Sequence, residues 1–413
     1  MKKVLTKIMA AVLITTTVLS GCASKNENSN SNNEIKTLTV WAMGAEGELL
    51  DKMSEGFEKE NPGIKVKVQA LPWDQAHDKL MTAVASKSGP DVIQMGTSWV
   101  PEFAEAGALL DLSKYTDKYE NLKKENYFES SLQTSVYKNE YVGVPWYIDT
   151  RVLFYRTDLL QGVGYPNGPS NWDEFKDAAS KLTNKAQNKY GFLLDPKDQI
   201  SMMLYAWQNG SEPITSDNVP HFNEPAFVDA VTYATSFIKE GYSPAQNDYD
   251  VTQGFKDGTF PMFISGPWMV DTIKKKATEL DGKWAVRVLP SKKTNTSFVG
   301  GSNLSVFKSS KNSEEAIKYI DYMSKLDTEM KWFDVSNSLP ARKDAWNTDK
   351  LKNDKLLKVF GEQMKDAKPA PAVKNWERIA QEVISSVEKI DLNGVDVKAE
   401  LDNVNEKAKE LLK

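Results

Sequence analysis

The chain has 413 residues, of which 40% are hydrophobic and 26% are charged, a globular composition with enough length for two lobes or domains. Its 57 acidic and 52 basic residues give a net charge of −5, which argues against nucleic acid or an anionic membrane surface as the main partner. The single cysteine excludes an internal disulfide and a zinc site built from cysteines, and only two histidines are present.

The first 21 residues have the pattern of an export signal. Three lysines precede an apolar run over residues 8–19, which is short for a membrane-spanning helix. The run ends in small residues before Cys22, the only cysteine, and this resembles a bacterial lipoprotein signal in which that cysteine is acylated. The alternative is an ordinary secretory signal with an incidental cysteine. Residues 22–34 are polar and are predicted to form a flexible tether.

From residue 37 onward, segments with strand patterns alternate with segments whose apolar residues have helical spacing. The predicted order is strand Thr37–Met43, helix Glu46–Glu60, strand Ile64–Val68, helix Asp74–Ser86, strand Asp91–Met95 and helix Val100–Ala108. This alternation is typical of a mainly parallel sheet with helices on both faces.

The second half of the chain is richer in helices, but strands return late in it. The predicted elements are strand Val152–Arg156, helices Trp172–Leu182 and Phe227–Glu240, strand Trp284–Leu289, strand Asn303–Phe307 and helices Ser313–Leu326, Trp376–Lys389 and Val397–Leu412. Residues 291–297 are predicted to be a loop. The late strand and helix suggest that the chain returns to an earlier sheet, although the pattern does not say which one.

A set of short motifs occurs in the order seen in one known family. The motifs are Leu38–Trp41 with Glu46 beyond it, Phe57–Val66, Gly89–Ile93, Trp99–Leu112, Tyr141–Pro145, Leu153–Arg156, Phe260–Trp268, Gly300-Gly301 and Leu339–Arg342. Together they resemble the extracellular solute-binding proteins of bacterial ABC importers, in particular the carbohydrate-binding branch that includes maltose- and trehalose-binding proteins. The resemblance covers essentially all of residues 35–413.

This resemblance implies a periplasmic-binding-protein-like fold, in which two α/β lobes are joined by a hinge that the chain crosses more than once. Lobe one would comprise residues 35–146 plus 292–335, and lobe two residues 147–291 plus 336–413. The ligand would lie in the cleft between the lobes, which close on it by hinge motion. Pro145 would lie near one crossing.

The implied function is that of a receptor without catalytic residues, cofactor or metal. It would capture an oligosaccharide and deliver it to the permease subunits of an ABC transporter. The protein would be a monomer held at the outer face of the cytoplasmic membrane by a lipid on Cys22, with no nucleic acid partner.

Sugar recognition needs flat apolar faces against C–H surfaces and planar polar groups against hydroxyls. The ligand-binding candidates are Glu46, Trp73, Asp74, Thr97, Trp99, Trp146, Tyr147, Asp149, Trp268, Gly300, Gly301, Ser302, Trp376 and Arg378. Most aromatic side chains in any protein belong to the core, so each aromatic candidate has core packing as its alternative.

The resemblance assigns roles to five of these candidates. Tyr147 and Asp149 match positions that contact sugar hydroxyls in relatives, although Asp149 is also a plausible turn or helix cap. Trp268 follows an apolar strand and a turn, where relatives place an aromatic residue that stacks on sugar. Trp376 resembles a stacking platform and Arg378 a cationic donor, with a solvent-exposed arginine as the simpler alternative.

Position relative to strands and turns supports the remaining candidates. Glu46 faces the cleft in relatives, or it pairs with the helix dipole. Trp73 and Asp74 precede a helix that Asp74 also suits as N-cap. Thr97 and Trp99 follow the third predicted strand, and Trp146 directly follows Gly143-Val144-Pro145 at the expected crossing between the lobes.

The glycine pair at Gly300 and Gly301 is expected to let the backbone approach a ligand closely, because glycine has no Cβ. Ser302 stands where some relatives have a large aromatic residue. Gly96 stands where some relatives have a carboxylate. These two differences leave the identity and length of the sugar open.

Three alternatives remain from the sequence. A surface glycosidase would also need paired carboxylates and aromatic residues, but no nucleophile elbow, phosphate loop or histidine cluster is present. A receptor for a polyamine, a peptide or another non-sugar solute is compatible with the composition. An adhesion or scaffold lipoprotein would bind no small molecule at all.

Overall fold

The structure, a computed structural model, describes residues 35–245 and 249–413, apart from the side chains of Ala45 and Asp74. The predicted export signal, Cys22 and the tether therefore lie outside the described residues. Residues 35–413 form one compact unit.

The described strands form one large sheet, one small sheet and a short hairpin. In chain order they are β1 (Lys36–Met43), β2 (Ile64–Leu71), β3 (Val92–Gly96), β4 (Val136–Tyr137), β5 (Glu140–Tyr141), β6 (Val144–Thr150), β7 (Val152–Arg156), β8 (Met262–Ser265), β9 (Trp284–Arg287), β10 (Ser297–Val306), β11 (Leu339–Pro340) and β12 (Ala367–Lys368).

Helices cover both sheets and form most of the second half of the chain. In chain order they are α1 (Gly44–Glu60), α2 (Trp73–Ser86), α3 (Val100–Glu105), α4 (Glu129–Gln133), α5 (Thr157–Gln161), α6 (Trp172–Leu182), α7 (Ser201–Gln208), α8 (Pro225–Lys239), α9 (Val251–Asp257), α10 (Trp268–Lys276), α11 (Ser313–Met323), α12 (Leu326–Ser336), α13 (Asp349–Asn353), α14 (Leu357–Gln363), α15 (Trp376–Asn393) and α16 (Val397–Leu411). Short 3₁₀ turns lie at Ser113–Tyr115, Glu120–Leu122, Lys124–Asn126, Lys185–Gln187, Thr278–Leu280, Asp344–Asn347 and Met364–Asp366.

The large sheet has the strand order β11-β6-β10-β3-β1-β2, with β12 paired to β10. Strand β1 pairs in parallel with both β2 and β3, as the alternating pattern predicts. Strand β10 is antiparallel to β3 and to β6, so it is inserted between them. The late strand therefore returns to the first sheet, which the sequence pattern alone did not specify.

The small sheet has the order β8-β7-β9, with antiparallel pairing throughout. Strands β6 and β7 are separated by one residue, and β6 stays in the large sheet as far as Thr150. The chain therefore changes sheet at Arg151, whereas the sequence placed the lobe boundary after residue 146. The return to the large sheet falls between Arg287 and Ser297, a stretch that contains the predicted boundary at residue 292.

Helix boundaries follow local capping and apolar spacing. Helix α6 has the bounds predicted from the sequence, and the side chain of Asn171 caps it by accepting a hydrogen bond from the Glu174 amide. Where one helix was predicted from Ser313 to Leu326, two are present, α11 and α12. Strand β10 begins at Ser297 rather than at the predicted Asn303. Gly300 and Gly301 pair with β6 and belong to the strand, as does Ser297 from the predicted loop. Among the described residues, no helix combines the length and apolarity needed to cross a membrane.

Candidate functional site

Three neighbouring strands of the large sheet end at one edge, and each is followed by a predicted site residue. Glu46 lies in the first turn of α1 after β1, Trp73 begins α2 after β2, and Trp99 precedes α3 after β3. Because the three strands are parallel, their carboxyl ends bring these residues to the same edge. Ligands bind outside such strand ends in open α/β sheets.

The rings of Trp73 and Trp99 contact each other edge to face, with centroids 5.4 Å apart and an interplanar angle of 64°. Trp73 is 39% exposed, so much of its ring remains available. Gly44 has a φ of +56°, and a Cβ built there would lie 2.9 Å from the Trp73 indole nitrogen. A glycine at this position therefore allows the indole to pack against the start of α1. Thr97, two residues before Trp99, is partly buried. Its backbone N–H donates to the Gly301 carbonyl at 3.3 Å.

A buried amide holds Tyr147 in place. The Gln94 side chain is fully buried, and its oxygen accepts a hydrogen bond from the Met43 backbone N–H at 2.8 Å. Its nitrogen donates to the Tyr147 hydroxyl at 3.1 Å and to the Ser302 hydroxyl at 3.2 Å. Ser302 also donates to the Tyr147 hydroxyl at 3.1 Å. The Tyr147 oxygen thus accepts two hydrogen bonds and keeps its own proton to donate elsewhere.

Tyr147 and Asp149 lie two residues apart on β6 and so face the same side of the strand. Burial raises the pKa of Tyr147, and the nearby charges of Glu46 and Asp149 raise it further. Burial also raises the pKa of Glu46, although hydrogen bonds from its own backbone amide and from Tyr147 oppose that shift. Two nearby carboxylates, those of Glu46 and Asp149, therefore both raise the pKa of Tyr147.

Arg151 connects β6 to the region of the small sheet. Its Nη1 donates to Asp149 Oδ1 at 3.0 Å and its Nη2 donates to Asp198 Oδ2 at 3.3 Å. Burial raises the pKa of Asp149, the guanidinium lowers it, and the negative charge of Asp198 adds to the upward shift. Two carboxylates are thus held beside one cation. Asp198 Oδ1 accepts a hydrogen bond from the Ile200 backbone N–H at 3.0 Å, whereas Arg151 leaves Asp149 Oδ2 unoccupied.

Trp268 follows β8 and begins α10, as the sequence predicted for a residue at a strand end. It is 45% exposed, and the Arg151 guanidinium lies 4.8 Å from its ring centroid. Both residues line a cavity of about 280 Å³ together with Asp198, Tyr205 and Tyr249. The Tyr205 hydroxyl is buried and has no hydrogen-bond partner among the described residues. The cavity therefore combines aromatic faces, a paired carboxylate and an unpaired hydroxyl.

Gly300 and Gly301 have a structural role in this arrangement. They pair with Asp149 and Ile148 on β6, and Gly301 has a φ of +111°. A Cβ on Gly301 would lie 2.2 Å from the Tyr147 carbonyl oxygen, and one on Gly300 would lie 3.0 Å from Asp149 Oδ1. The two glycines let β10 approach β6 and so position Tyr147 and Asp149, rather than opening backbone to a ligand as expected. Ser302 is fully buried and acts through Tyr147.

The structure places two predicted stacking residues in hydrophobic cores instead. Trp146 is 1% exposed and stacks on Trp332, with ring centroids 4.6 Å apart. Trp376 is also 1% exposed and packs in the core beneath α15. Neither ring offers a free face, so both expectations are corrected. Arg378 is exposed on α15, and the side chain of Asp74 lies outside the described part of the structure.

Sequence reasoning missed Gln94, Arg151, Asp198 and Tyr249. Gln94 had a signal, because it is a polar residue inside the apolar run of β3. Arg151 and Asp198 are 47 residues apart in sequence and meet only in the folded chain. In the described part of the chain, no group of histidine, cysteine or acidic side chains is arranged to hold a metal ion.

At the crossing between the two sheets, the exposed Trp268 indole thus lies against Arg151, which binds the carboxylates of Asp149 and Asp198. Such an arrangement can offer a small polar molecule an aromatic face and charged hydrogen-bond partners. The family of bacterial extracellular solute-binding proteins matches residues 42–328, and this chain belongs to that family. Because the family consists of solute receptors, the expectations of a two-lobed binding-protein fold and of a non-enzyme are confirmed.

Three similar proteins give the comparison detail. A Brucella abortus protein named as a binding protein, without a stated ligand, is 30% identical over 89% of this chain and 90% of its own length. The sugar-binding protein MalE of Xanthomonas citri superposes with a TM-score of 0.87 at 32% identity, covering 91% of this chain and 97% of that one. An ABC transporter solute-binding protein of Thermotoga lettingae, solved with α-D-tagatose, gives 0.79 at 28% identity, covering 92% and 100%.

Proposed function

We propose that this protein captures an oligosaccharide where the chain crosses between the large and small sheets, and delivers it to the permease of an ABC importer. The main support is the exposed Trp268 ring beside the carboxylates of Asp149 and Asp198. A pyranose presents a flat C–H face to an indole while its hydroxyls donate to carboxylates. Charge-assisted hydrogen bonds of this kind are stronger than those between neutral groups.

A second aromatic surface supports a ligand longer than one ring. Trp73 and Trp99 lie at the edge of the large sheet, whereas Trp268 follows a strand of the small sheet. Glu46 and Asp149 both raise the pKa of Tyr147, so these three groups lie close together, and we propose that they bind the sugar between the two surfaces. A chain of sugar units would place successive rings on the two surfaces. The sugar and ABC-transporter descriptions of the Xanthomonas and Thermotoga proteins are consistent with this ligand class and this partner.

Two-lobe closure is part of the proposal. We propose two lobes as expected from the sequence, residues 35–146 plus 292–335 and residues 147–291 plus 336–413, except that the first crossing moves from residue 146 to Arg151, where the chain leaves the large sheet. A sugar that contacts both lobes only in the closed state favours that state by its differential affinity. The permease would then recognise the closed, loaded monomer.

Calorimetric titration with glucans, galactosides, xylosides and fructans of graded length tests the ligand class. A bound sugar at 100 times its dissociation constant should raise the unfolding free energy by about 2.7 kcal/mol, which a melting screen detects. A polyamine and a peptide pool serve as non-sugar arms. Failure of every saccharide to shift melting, or a shift with the polyamine or peptide alone, would overturn the sugar assignment.

Lipid anchoring at Cys22 is proposed from the sequence. Two or more acyl chains hold a protein firmly at a bilayer, because each buried methylene contributes about 0.8 kcal/mol. In an expressing bacterium the protein should incorporate labelled palmitate and sediment with membranes. The variant Cys22→Ser should do neither, and equal membrane recovery of both proteins would disprove the anchor.

A further inference from the structure

Arg151 occupies a distinctive place in the chain, because it is the single residue between a strand of the large sheet and a strand of the small sheet. Its backbone N–H donates to the Ser297 hydroxyl at 3.2 Å, and that hydroxyl donates to the Arg151 carbonyl at 2.7 Å. Ser297 is the first residue of β10, where the chain returns to the large sheet. Arg151 therefore ties together the outgoing and returning crossings.

The side chain of Arg151 reaches into the candidate site, and it is only 13% exposed. Its guanidinium bonds to Asp149 on β6 and to Asp198 ahead of α7. A buried cation needs such partners, since removing one member of a buried ion pair leaves an uncompensated charge. The two carboxylates likewise need the cation, because each raises the electrostatic cost of the other.

The same guanidinium also packs on the aromatic platform. It lies 4.8 Å from the ring centroid of Trp268 and 5.8 Å from that of Phe298. A planar guanidinium can stack on a ring and donate in its own plane at the same time. One cation therefore orients the Trp268 indole and both carboxylates together.

We propose that Arg151 is a positioning residue for ligand binding, which keeps Asp149 and Asp198 as ionised acceptors beside a fixed Trp268 ring and connects them to the interlobar crossing. This inference rests on the proposed function, because it concerns the same site. It goes further, because it assigns control of the positions of Trp268, Asp149 and Asp198 to Arg151, a residue that is not itself proposed to stack on the sugar.

The charged surroundings give the inference a pH signature. The charged groups that act on the pKa of Asp149 are the Arg151 cation and the Asp198 carboxylate, while Asp149 and Glu46 both act on the pKa of Tyr147. Removing the cation leaves burial and Asp198 to raise the pKa of Asp149 unopposed. Asp149 would then become protonated at a higher pH and lose its role as a charged acceptor. On acidification, a variant without the Arg151 cation should therefore begin to lose ligand affinity at a higher pH than the wild type does.

The test is calorimetric titration of the best-binding saccharide from the panel, from pH 4.5 to 8.5, with wild type, Arg151→Met and Arg151→Lys. We expect Arg151→Met to bind at least tenfold more weakly at pH 7 and to lose affinity at a higher pH on acidification. Arg151→Lys restores charge without the planar fork, so it should recover the pH profile but only part of the affinity. Lys275→Met is the matched control, because it removes one cation from α10 at a surface ion pair with Asp271.

A double variant separates positioning from general destabilisation. If Arg151 acts through Asp149, then in an Asp149→Asn background the Arg151→Met substitution should no longer move the pH profile. Circular dichroism and melting establish that each variant is folded, and Arg151→Lys covers the case in which Arg151→Met does not fold. Wild-type binding with an unchanged profile in both Arg151 variants overturns this inference alone. Absence of saccharide binding by the wild type overturns the proposed function instead.

Discussion

The indole of Trp73 meets the edge of Trp99 at a centroid separation of 5.4 Å, although the two residues follow different strands. This contact fixes an exposed ring at the carboxyl edge of the large sheet. Aromatic pairs contribute about 0.5–1.5 kcal/mol beyond their buried area, so the partner ring orients the exposed one.

Replacing Trp73 with alanine should weaken saccharide binding about tenfold, because the exposed stacking face is lost. The unfolding free energy should fall by only about 1 kcal/mol, since the side chain is already 39% exposed. Calorimetric titration and urea unfolding measure the two effects. Leu392→Ala, at a 55% exposed apolar residue on α15, is the control and should leave affinity unchanged. Equal affinity of the Trp73 variant and this control would remove Trp73 from the site.

Trp268→Ala should weaken binding by more than tenfold while changing the stability of the unliganded protein little. The ring is 45% exposed, so its apolar contribution to folding is small, but it lies 4.8 Å from the guanidinium that binds both Asp149 and Asp198. Trp268→Phe keeps a smaller flat face and should recover part of the affinity. An alanine variant that binds as tightly as the wild type contradicts the role of this ring.

The Gln94 amide should matter for both stability and binding. Gln94→Leu leaves the Met43 backbone N–H without its acceptor and removes a donor to the Tyr147 hydroxyl. A buried polar group left unpaired costs about 1–3 kcal/mol, and urea unfolding should show a loss in that range. Ser305→Ala is the matched control, because that buried hydroxyl has no hydrogen-bond partner within residues 35–245 and 249–413. A smaller loss for Gln94→Leu than for the serine variant would contradict this account.

Local pattern was sufficient for much of the fold. Apolar spacing predicted both ends of α6, and strand-helix alternation predicted the parallel β1–β3 core. Such a local pattern does not predict which distant segments pair with each other. The insertion of β10 between β3 and β6 depends on contacts over more than 140 residues, and it is these contacts that extend the strand through its glycines.

The site was predictable where orientation follows from periodicity. Along β6, Trp146, Ile148 and Thr150 are buried, whereas Tyr147 and Asp149 are only partly buried. Trp146 stacks on Trp332 on the buried side, and this alternation would have removed it from the candidates had the segment been predicted as a strand. Trp376 begins an apolar stripe that continues at Ile379, which is helical core spacing.

Arg151 and Asp198 had no comparable local signal. A charged residue between two strands is ordinary for a loop, and its partner lies 47 positions later. Which carboxylate a guanidinium meets depends on the tertiary arrangement of the two sheets. The residues that organise the site are thus the ones that sequence spacing describes least.

Asp391 on α15 provides a pH prediction away from the binding site. It lines a cavity of about 740 Å³ between α8 and α15, and one carboxylate oxygen is buried without a hydrogen-bond partner in the described part of the chain. Burial raises the pKa of Asp391 to about 7, whereas an unfolded aspartate titrates near 3.9. The folded state therefore holds the proton more tightly than the unfolded state does.

The sign of the effect follows from this difference in pKa. The contribution of Asp391 to stability is fully present below about pH 4 and is lost as pH rises through about 7. One pKa unit corresponds to about 1.4 kcal/mol, but partial exposure screens the group, so we expect a loss of about 1–2 kcal/mol. Asp391→Asn cannot ionise, and it should be more stable than the wild type at pH 8 while matching it near pH 4. Urea unfolding at a series of pH values measures both curves. Parallel curves for the two proteins would mean that Asp391 titrates alike in the folded and unfolded chain.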